Sequence, residues 1–402
     1  MPAPTLRELA PAGLDIDEDP YPLYAALRDR GPVHRITVPG TGEVWLVVAR
    51  DEARAALTDA RLSTDVRYSS SSTDDGGYAI GRNMLQADPP EHTRLRALVA
   101  REFTGGRIAD MRPYIESVAG ALVDALPADG EADLVQEYAL PLPITVICAM
   151  LGVPESDHAD FHAWSTELVT PTSPQAAAGA ATAMTGYLAA FIASRRAEPA
   201  DDLMSALVGT SAAGEGVLSA EELLGMAFLL LVAGHETTVN LISATLHSLL
   251  RHPGQLDLVR ADPALIEGAV EESLRFNSPV AAAAFRFAAE PLEIGGTAVP
   301  AGDSVQISLA AASRDPGHFP KPDLFDVRRE ARGHLGFGHG IHHCLGAPLA
   351  RAEAAVALRI LLERRPVLGF AADPDALTWR TGTMLRGLAR LPVRLGGPGA
   401  AG

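Results

Sequence analysis

The 402-residue sequence predicts a mainly helical protein with a small β-rich lobe. Three observations lead there. Alanine-rich amphipathic segments of helical period dominate the chain. Strand-like runs are short and few. No repeat of solenoid period and no clear linker divides it into independent parts. With 47% hydrophobic and 21% charged residues, the composition suits a globular chain able to bury a large core.

In chain order, helices are expected at residues 21–30, 51–58, 91–103, 107–126, 136–151, 176–196, 219–251, 263–276 and 345–365. Each shows apolar residues returning every three or four positions. Strands are expected in "EVWLVV", in "LEIGGTAVPAGDSVQISLA" and in "LPVRL". "YSSSSTDDGG" (68–77) and "TPTSPQAAAGAA" (170–181) read as mobile loops, and "GGPGAAG" as a frayed tail.

The segment 219–251 is the longest helical pattern. Ser219 and Glu222 fit a capping box, which satisfies the first amide donors of a helix. Leu223 to Val232 is apolar on nearly every face, so the helix should cross the interior. "AGHETTVN" then places Gly234, Glu236 and two β-branched threonines in its middle. These residues weaken a helix or carry charge into it, and they suggest a bulge opening onto a cavity. The plainer alternatives are that Gly234 permits close packing and that Glu236 pairs with an arginine. His235-Glu236 begins the zinc-protease pattern H-E-x-x-H, but its second histidine would fall at Val239, so that assignment fails. Further on, Glu272 and Arg275 are spaced i, i+3 on one helix face, with Pro279 just beyond the end.

A net charge of −17 argues against broad binding to nucleic acid or anionic membranes. No signal or transit peptide is visible, and the apolar run Leu223 to Gly234 is too short to span a bilayer. Two cysteines, Cys148 and Cys344, make no disulfide framework. A cytoplasmic protein is the expectation.

"HLGFGHGIHHCLGAPLAR" (334–351) gathers four histidines, glycines and Cys344 ahead of a helix. The spacing is not that of a structural zinc site, a P-loop or a dinucleotide fingerprint. A nucleophilic cysteine stays open, since a helix N-terminus lowers thiol pKa. The residues favour Cys344 as a thiolate ligand to one large cofactor, with Gly336, Gly338 and Gly340 allowing close backbone approach to a flat partner.

"FGHGIHHCLG" resembles the haem-binding loop of the cytochrome P-450 family, "AGHETT" its oxygen-activating helix, and Glu272 with Arg275 its E-x-x-R pair. "DPPEHTRLR", "RDPGHFPKPDLFD" and "GAPLAR" resemble the soluble bacterial branch, so the likeness runs through the chain in the family's order. It implies one P-450 domain over 1–402, with haem b between the long helix and the cysteine-bearing helix.

Residue by residue, the resemblance makes Cys344 the iron ligand and places Phe337, Gly338 and Gly346 around the haem. It makes His92, Arg96, Arg286 and His342 partners of the haem propionates. Glu236 and Thr237 match an acid–alcohol pair that relays protons to dioxygen, and Gly234 matches the point where the helix opens. Two departures stand out. Leu324 sits where the family often has an arginine completing a triad with Glu272 and Arg275, leaving Arg328 or Arg329 as substitutes. Gly336 replaces a commoner alanine, a change expected to be minor.

By family position, Leu230, Ala233, Val280, Ala281, Ala284, Thr383 and Met384 face the substrate. The resemblance implies a monooxygenase hydroxylating or epoxidising a bulky macrolide or polyketide, as in antibiotic biosynthesis. A steroid or vitamin D-type hydroxylase is the alternative. A haem-thiolate ligand-binding protein without turnover, or a peroxide-driven enzyme, would be a different class. Electrons would come from a ferredoxin and an NAD(P)H-dependent ferredoxin reductase, docking near Arg94, Arg101, Arg107 and Arg351. A monomer binding neither nucleic acid nor membrane is expected.

Overall fold

The computed structural model describes residues 2–71, 81–169, 171–210, 218–382 and 384–396. Helices form where the apolar period places them: Tyr21–Arg30, Arg50–Thr58, Glu91–Ala100 with a 3-10 turn to Phe103, Gly105–Ala125, Leu265–Phe276 and Ala347–Arg364. The expected 136–151 helix divides into a π turn, Val135–Ala139, and a helix, Pro141–Leu151. Pro141 lies in the first turn, where its missing amide hydrogen costs nothing.

The expected helix 176–196 forms, and it corrects the overlapping expectation of a loop at 170–181. A helix, Pro174–Ala197, begins inside it, capped by the Ser173 side chain, which accepts from the Ala176 amide. Serine and proline here start a helix rather than interrupt one. Helices His158–Val169, Leu203–Thr210 and Pro253–Ala261 add to those expected. Much of the expected loop 68–77 and the tail lies outside the described residues.

The long helix runs unbroken from Ala220 to Arg251 and opens with the expected box. Ser219 Oγ accepts from the Glu222 amide at 3.1 Å, and Glu222 Oε2 accepts from the Ser219 amide at 2.8 Å. No bulge interrupts it at Gly234. A methyl there would come within 2.9 Å of Ile147 Cγ1, so Gly234 brings this helix close against Pro141–Leu151. Close packing is the structural reason for the glycine.

Pro174–Ala197 and Ala220–Arg251 are both long and apolar enough to cross a bilayer. In the latter, 72% of the apolar window is buried within the protein. The former packs on His158–Val169, Leu203–Thr210 and the long helix.

The long helix joins the main apolar core to Gly105–Ala125, Pro141–Leu151 and Ala347–Arg364. Burying each large aliphatic side chain there contributes about 1.5–3 kcal/mol. The β lobe is a five-stranded sheet in the order Val33–Val38, Gly42–Val47, Ser304–Ile307, Arg286–Ala288, Leu62–Ser63. Gly42–Val47 pairs parallel with Ser304–Ile307, and the other neighbours are antiparallel. The expected "LEIGG" strand is a hairpin, Leu292–Ile294 with Thr297–Val299, turning on Gly295 and Gly296 at φ +55° and +79°. "LPVRL" becomes Pro392–Gly396, between Gly130–Asp133 and Val367–Phe370.

Candidate functional site

The cysteine loop folds on its own backbone. The Cys344 amide donates to the Phe337 carbonyl at 2.9 Å, and the Gly338 amide to the Leu335 carbonyl at 2.7 Å. Gly338 adopts φ +72°, the left-handed region that favours glycine, and a Cβ there would only touch the His342 carbonyl at 3.8 Å. The other two glycines serve a different end from the one expected. A Cβ on Gly336 would lie 2.9 Å from the Leu274 carbonyl, and one on Gly340 2.9 Å from the Leu57 carbonyl. They seat the loop on neighbouring protein backbone. The Arg351 guanidinium lies 4.5 Å from the Phe337 ring centroid, within cation–π range. Cys344 is exposed. Although solvent reaches the residue, the protein packed around its thiol desolvates it and raises its pKa, opposed by the Gly346 and Ala347 amides and by Arg96 and Arg351.

Around this loop, three elements present buried polar atoms without partners. His92 comes from the helix Glu91–Ala100, Arg286 from the sheet and His342 from the loop. Both ring nitrogens of His92, Nε of Arg286 and Nε2 of His342 make no hydrogen bond. The two imidazoles are 4.4 Å apart. Arg96 donates to the His343 carbonyl at 2.7 Å. Burial, Arg286, His92 and Arg96 together bring His342 down to about 3. Asp88 acts on His92 and Arg286 from a distance, but no carboxylate is bonded to these buried atoms, and such a group of unpaired nitrogens beside a guanidinium suits a ligand carrying carboxylates. These residues, with an accessible cysteine at a helix start, fit a haem with its two propionates.

On the long helix, Thr237 Oγ1 donates to the Ala233 carbonyl at 3.1 Å. Glu236 is 3% exposed, and its Oε1 has no hydrogen-bond partner. Its contacts are with histidines; an arginine, as considered from sequence, is present in Arg380, but it acts on the carboxylate from beyond ion-pair distance. His235 Nε2 lies 3.6 Å away, and His162 arrives from His158–Val169. Burial pushes the Glu236 carboxyl up, but His235, Arg380 and His162 outweigh it, and it titrates below the ordinary carboxylate value. Sequence reasoning missed His162 and Arg380, which lie in distant segments with no motif to mark them.

Glu272 and Arg275 are fully buried, joined by bonds of 2.7 and 2.8 Å. The third member is Arg329, whose Nε lies 3.1 Å from Glu272 Oε1. Arg328 is exposed, and Leu324 is 57% exposed, offering only its carbonyl, to Arg275 and Arg329.

The substrate-facing positions separate. The Ala281 amide donates to the Met384 carbonyl at 2.7 Å, and Val280 pairs with Leu385, so these segments adjoin. Val280, Ala281, Ala284 and Met384 are half-buried. Ala233 is exposed, whereas Leu230, one turn earlier, is buried in the main core. Thr383 lies outside the described residues. The expected basic patch is neutralised: Arg94 pairs with Glu91 and Glu222, Arg101 and Arg107 with Glu102, and Arg351 with Glu271. A different surface cavity of about 280 Å³ is lined by Arg50, Arg54, Arg332, Arg351, His339 and His343, with Glu271 as its carboxylate.

Comparison with known proteins agrees with this architecture. The profile of the Cytochrome P-450 family matches residues 160–368. The chain is 52% identical to the Cytochrome P-450 monooxygenase PikC of Streptomyces venezuelae, covering 98% of this chain and 95% of that one. It is 44% identical to the 6-deoxyerythronolide B hydroxylase of Saccharopolyspora erythraea, covering 94% and 96%. The tirandamycin C-bound P-450 monooxygenase TamI superimposes with a TM-score of 0.89 at 46% identity, covering 95% of this chain and 99% of that one. The chain therefore belongs to the cytochrome P-450 family and is a monooxygenase.

Proposed function

We propose that residues 1–402 work as one unit that holds haem b and inserts one oxygen atom of O2 into a C–H bond of a macrolide or polyketide. The convergence of unpartnered His92, Arg286 and His342 atoms beside the Cys344 loop supports the cofactor reading. Two relatives support the substrate class: one is named for hydroxylating 6-deoxyerythronolide B, the other holds tirandamycin C.

In this reading Cys344 is the iron ligand. His92, Arg96, Arg286 and His342 hold the propionates, while Phe337, Gly338 and Gly346 border the ring. Bound there, the haem supplies reductive activation of dioxygen, with thiolate donation favouring O–O cleavage. The protein's own part is to place protons and exclude water. Glu236 offers a buried carboxylate oxygen that takes up a proton in transit and passes it to Thr237 Oγ1. That hydroxyl, oriented by its bond to the Ala233 carbonyl, delivers it toward dioxygen. Gly234 contributes by holding the helix close to Ile147. Ala233, Val280, Ala281, Ala284 and Met384 border the substrate; the small side chains of the three alanines leave room for a bulky ring. The arginine-lined cavity beside the cysteine loop is the docking face for an acidic ferredoxin, itself reduced by an NAD(P)H-dependent reductase. The protein acts in the cytoplasm as a monomer.

A spectral-shift titration of haem-loaded protein with macrolides, steroids including vitamin D types, and fatty acids tests the substrate. Reconstitution with ferredoxin and reductase follows, with mass detection of the product. Tight macrolide binding and gain of one oxygen are expected. Turnover confined to steroids would overturn the substrate class.

A further inference from the structure

The sequence pattern H-E-x-x-H fails because Val239 stands where its second histidine belongs. The fold supplies a histidine from another helix. A ring nitrogen of His162, one of His235 and a carboxylate oxygen of Glu236 all lie within 4.8 Å of one another. His235 and Glu236 are 2% and 3% exposed. His162 Nδ1 is 3.3 Å from Thr166 Oγ1, which steadies the ring.

The chemistry of the pair is unbalanced as it stands. His235 Nδ1 lies 2.8 Å from the Leu231 carbonyl. A carbonyl only accepts, so Nδ1 carries the hydrogen and a neutral ring turns its Nε2 lone pair outward. That lone pair faces Glu236 Oε1 at 3.6 Å, and neither atom has a hydrogen-bond partner. Two buried acceptors pointed at one another call for a cation between them. A backbone carbonyl on the far ring nitrogen is also the arrangement that fixes metal-ligating histidines.

We propose that His162, His235 and Glu236 form a binding site for a divalent ion of the zinc class, behind the long helix. Two imidazoles and one carboxylate suit such an ion, leaving a fourth position for water. Zinc–ligand bonds of about 2.0–2.2 Å place tetrahedral donors roughly 3.3 Å apart, so small side-chain rotations close the set. Arg380 lies near enough to act on Glu236 and is the competing cation. The site uses the carboxylate that the proposed proton route also needs. The consequence for turnover therefore rests on that route, whereas metal binding does not.

The test uses metal-stripped, haem-loaded full-length protein titrated with zinc against a chromophoric chelator, together with the His162→Ala and His235→Ala variants. Zinc K-edge absorption on the loaded protein reads histidine scattering. The reduced carbon monoxide spectrum of each variant checks its fold. One zinc with two histidine ligands, weakened about tenfold or more in each correctly folded variant, is expected. Equal zinc affinity in the wild type and both variants overturns the site, since the ion then lies elsewhere; so does the absence of wild-type binding, which leaves a proton or Arg380 as the partner. In reconstituted turnover, zinc should lower product per electron in the wild type and do so less in His162→Ala. Zinc bound at this site with unaltered coupling retains the site and removes Glu236 from the proton route, so the two readings fail separately.

Discussion

Replacing Arg329 by alanine should destabilise the protein by about 2 kcal/mol, between the effects of two comparison variants. The magnitude follows from the contacts. Arg275 is fully buried, donates twice to Glu272, and also bonds the carbonyls of Pro322 and Leu324 at 2.8 and 3.2 Å. Its removal leaves Glu272 a buried charge held by Arg329 and the Asp326 amide, a loss of about 3–5 kcal/mol. The Arg329 side chain is 13% exposed. It contributes one contact to Glu272 and bonds to the carbonyls of Pro320, Lys321 and Leu324. Its loss leaves the two-pronged Glu272–Arg275 pair intact, and water can reach part of what it vacates. Arg328 makes no side-chain contact with Glu272, and Arg328→Ala should change stability by no more than about 0.5 kcal/mol. Urea unfolding of the three haem-loaded variants, followed by circular dichroism and haem absorbance, gives the order. Arg329→Ala behaving like wild type, or Arg328→Ala matching it, would refute the assignment of the third arginine.

Four further outcomes follow from the same geometry. Cys344→Ser should lose the band near ~450 nm of the reduced carbon monoxide complex; a surviving band would place the ligand elsewhere. Thr237→Ala should divert electrons to peroxide, read as peroxide released per NAD(P)H consumed; unchanged coupling would remove the hydroxyl from proton delivery. Gly336→Ala drives a methyl against the Leu274 carbonyl and should cost about 1–3 kcal/mol while shifting the haem spectrum; a silent variant would show the loop has slack. Burial raises the Glu271 carboxyl, but His334 and Arg351 outweigh it and bring it from 4.5 to about 2. The folded value lies below the unfolded one, so this stabilisation is present above about pH 4.5 and is lost as pH falls toward 2. Arg351→Ala should move acid-induced haem loss to higher pH, and an unmoved acid limb would count against the pair.

What the sequence made legible was local. The Ser219–Glu222 box starts the long helix, and the i, i+3 spacing brings Glu272 to Arg275. Both are set within one turn of chain, where spacing and geometry are the same thing. What escaped was set across the fold. Arg329 reaches Glu272 from a distant loop, and His162 reaches Glu236 from another helix. Gly234 was open between a bulge and a packing contact until Ile147 stood beside it. The loop expected over 170–181 was drawn too long, across the start of Pro174–Ala197, because serine and proline punctuate loops and open helices alike. The arginines 94, 101, 107 and 351 looked like a patch because sequence hides which carboxylates cover them.

The missing methyl at Gly336 carries one more implication. The cysteine loop rests on the carbonyl of Leu274, the residue directly before Arg275. The position of the sulfur is thus inherited from a helix far earlier in the chain, itself fixed by the buried ion pair. Mild substitutions in Leu265–Phe276 that spare the Glu272–Arg275 pair should therefore show first as changes in colour and reduction potential, in protein that still melts normally. In a collection of variants, the spectrum will be the more sensitive gauge of that helix than the thermometer.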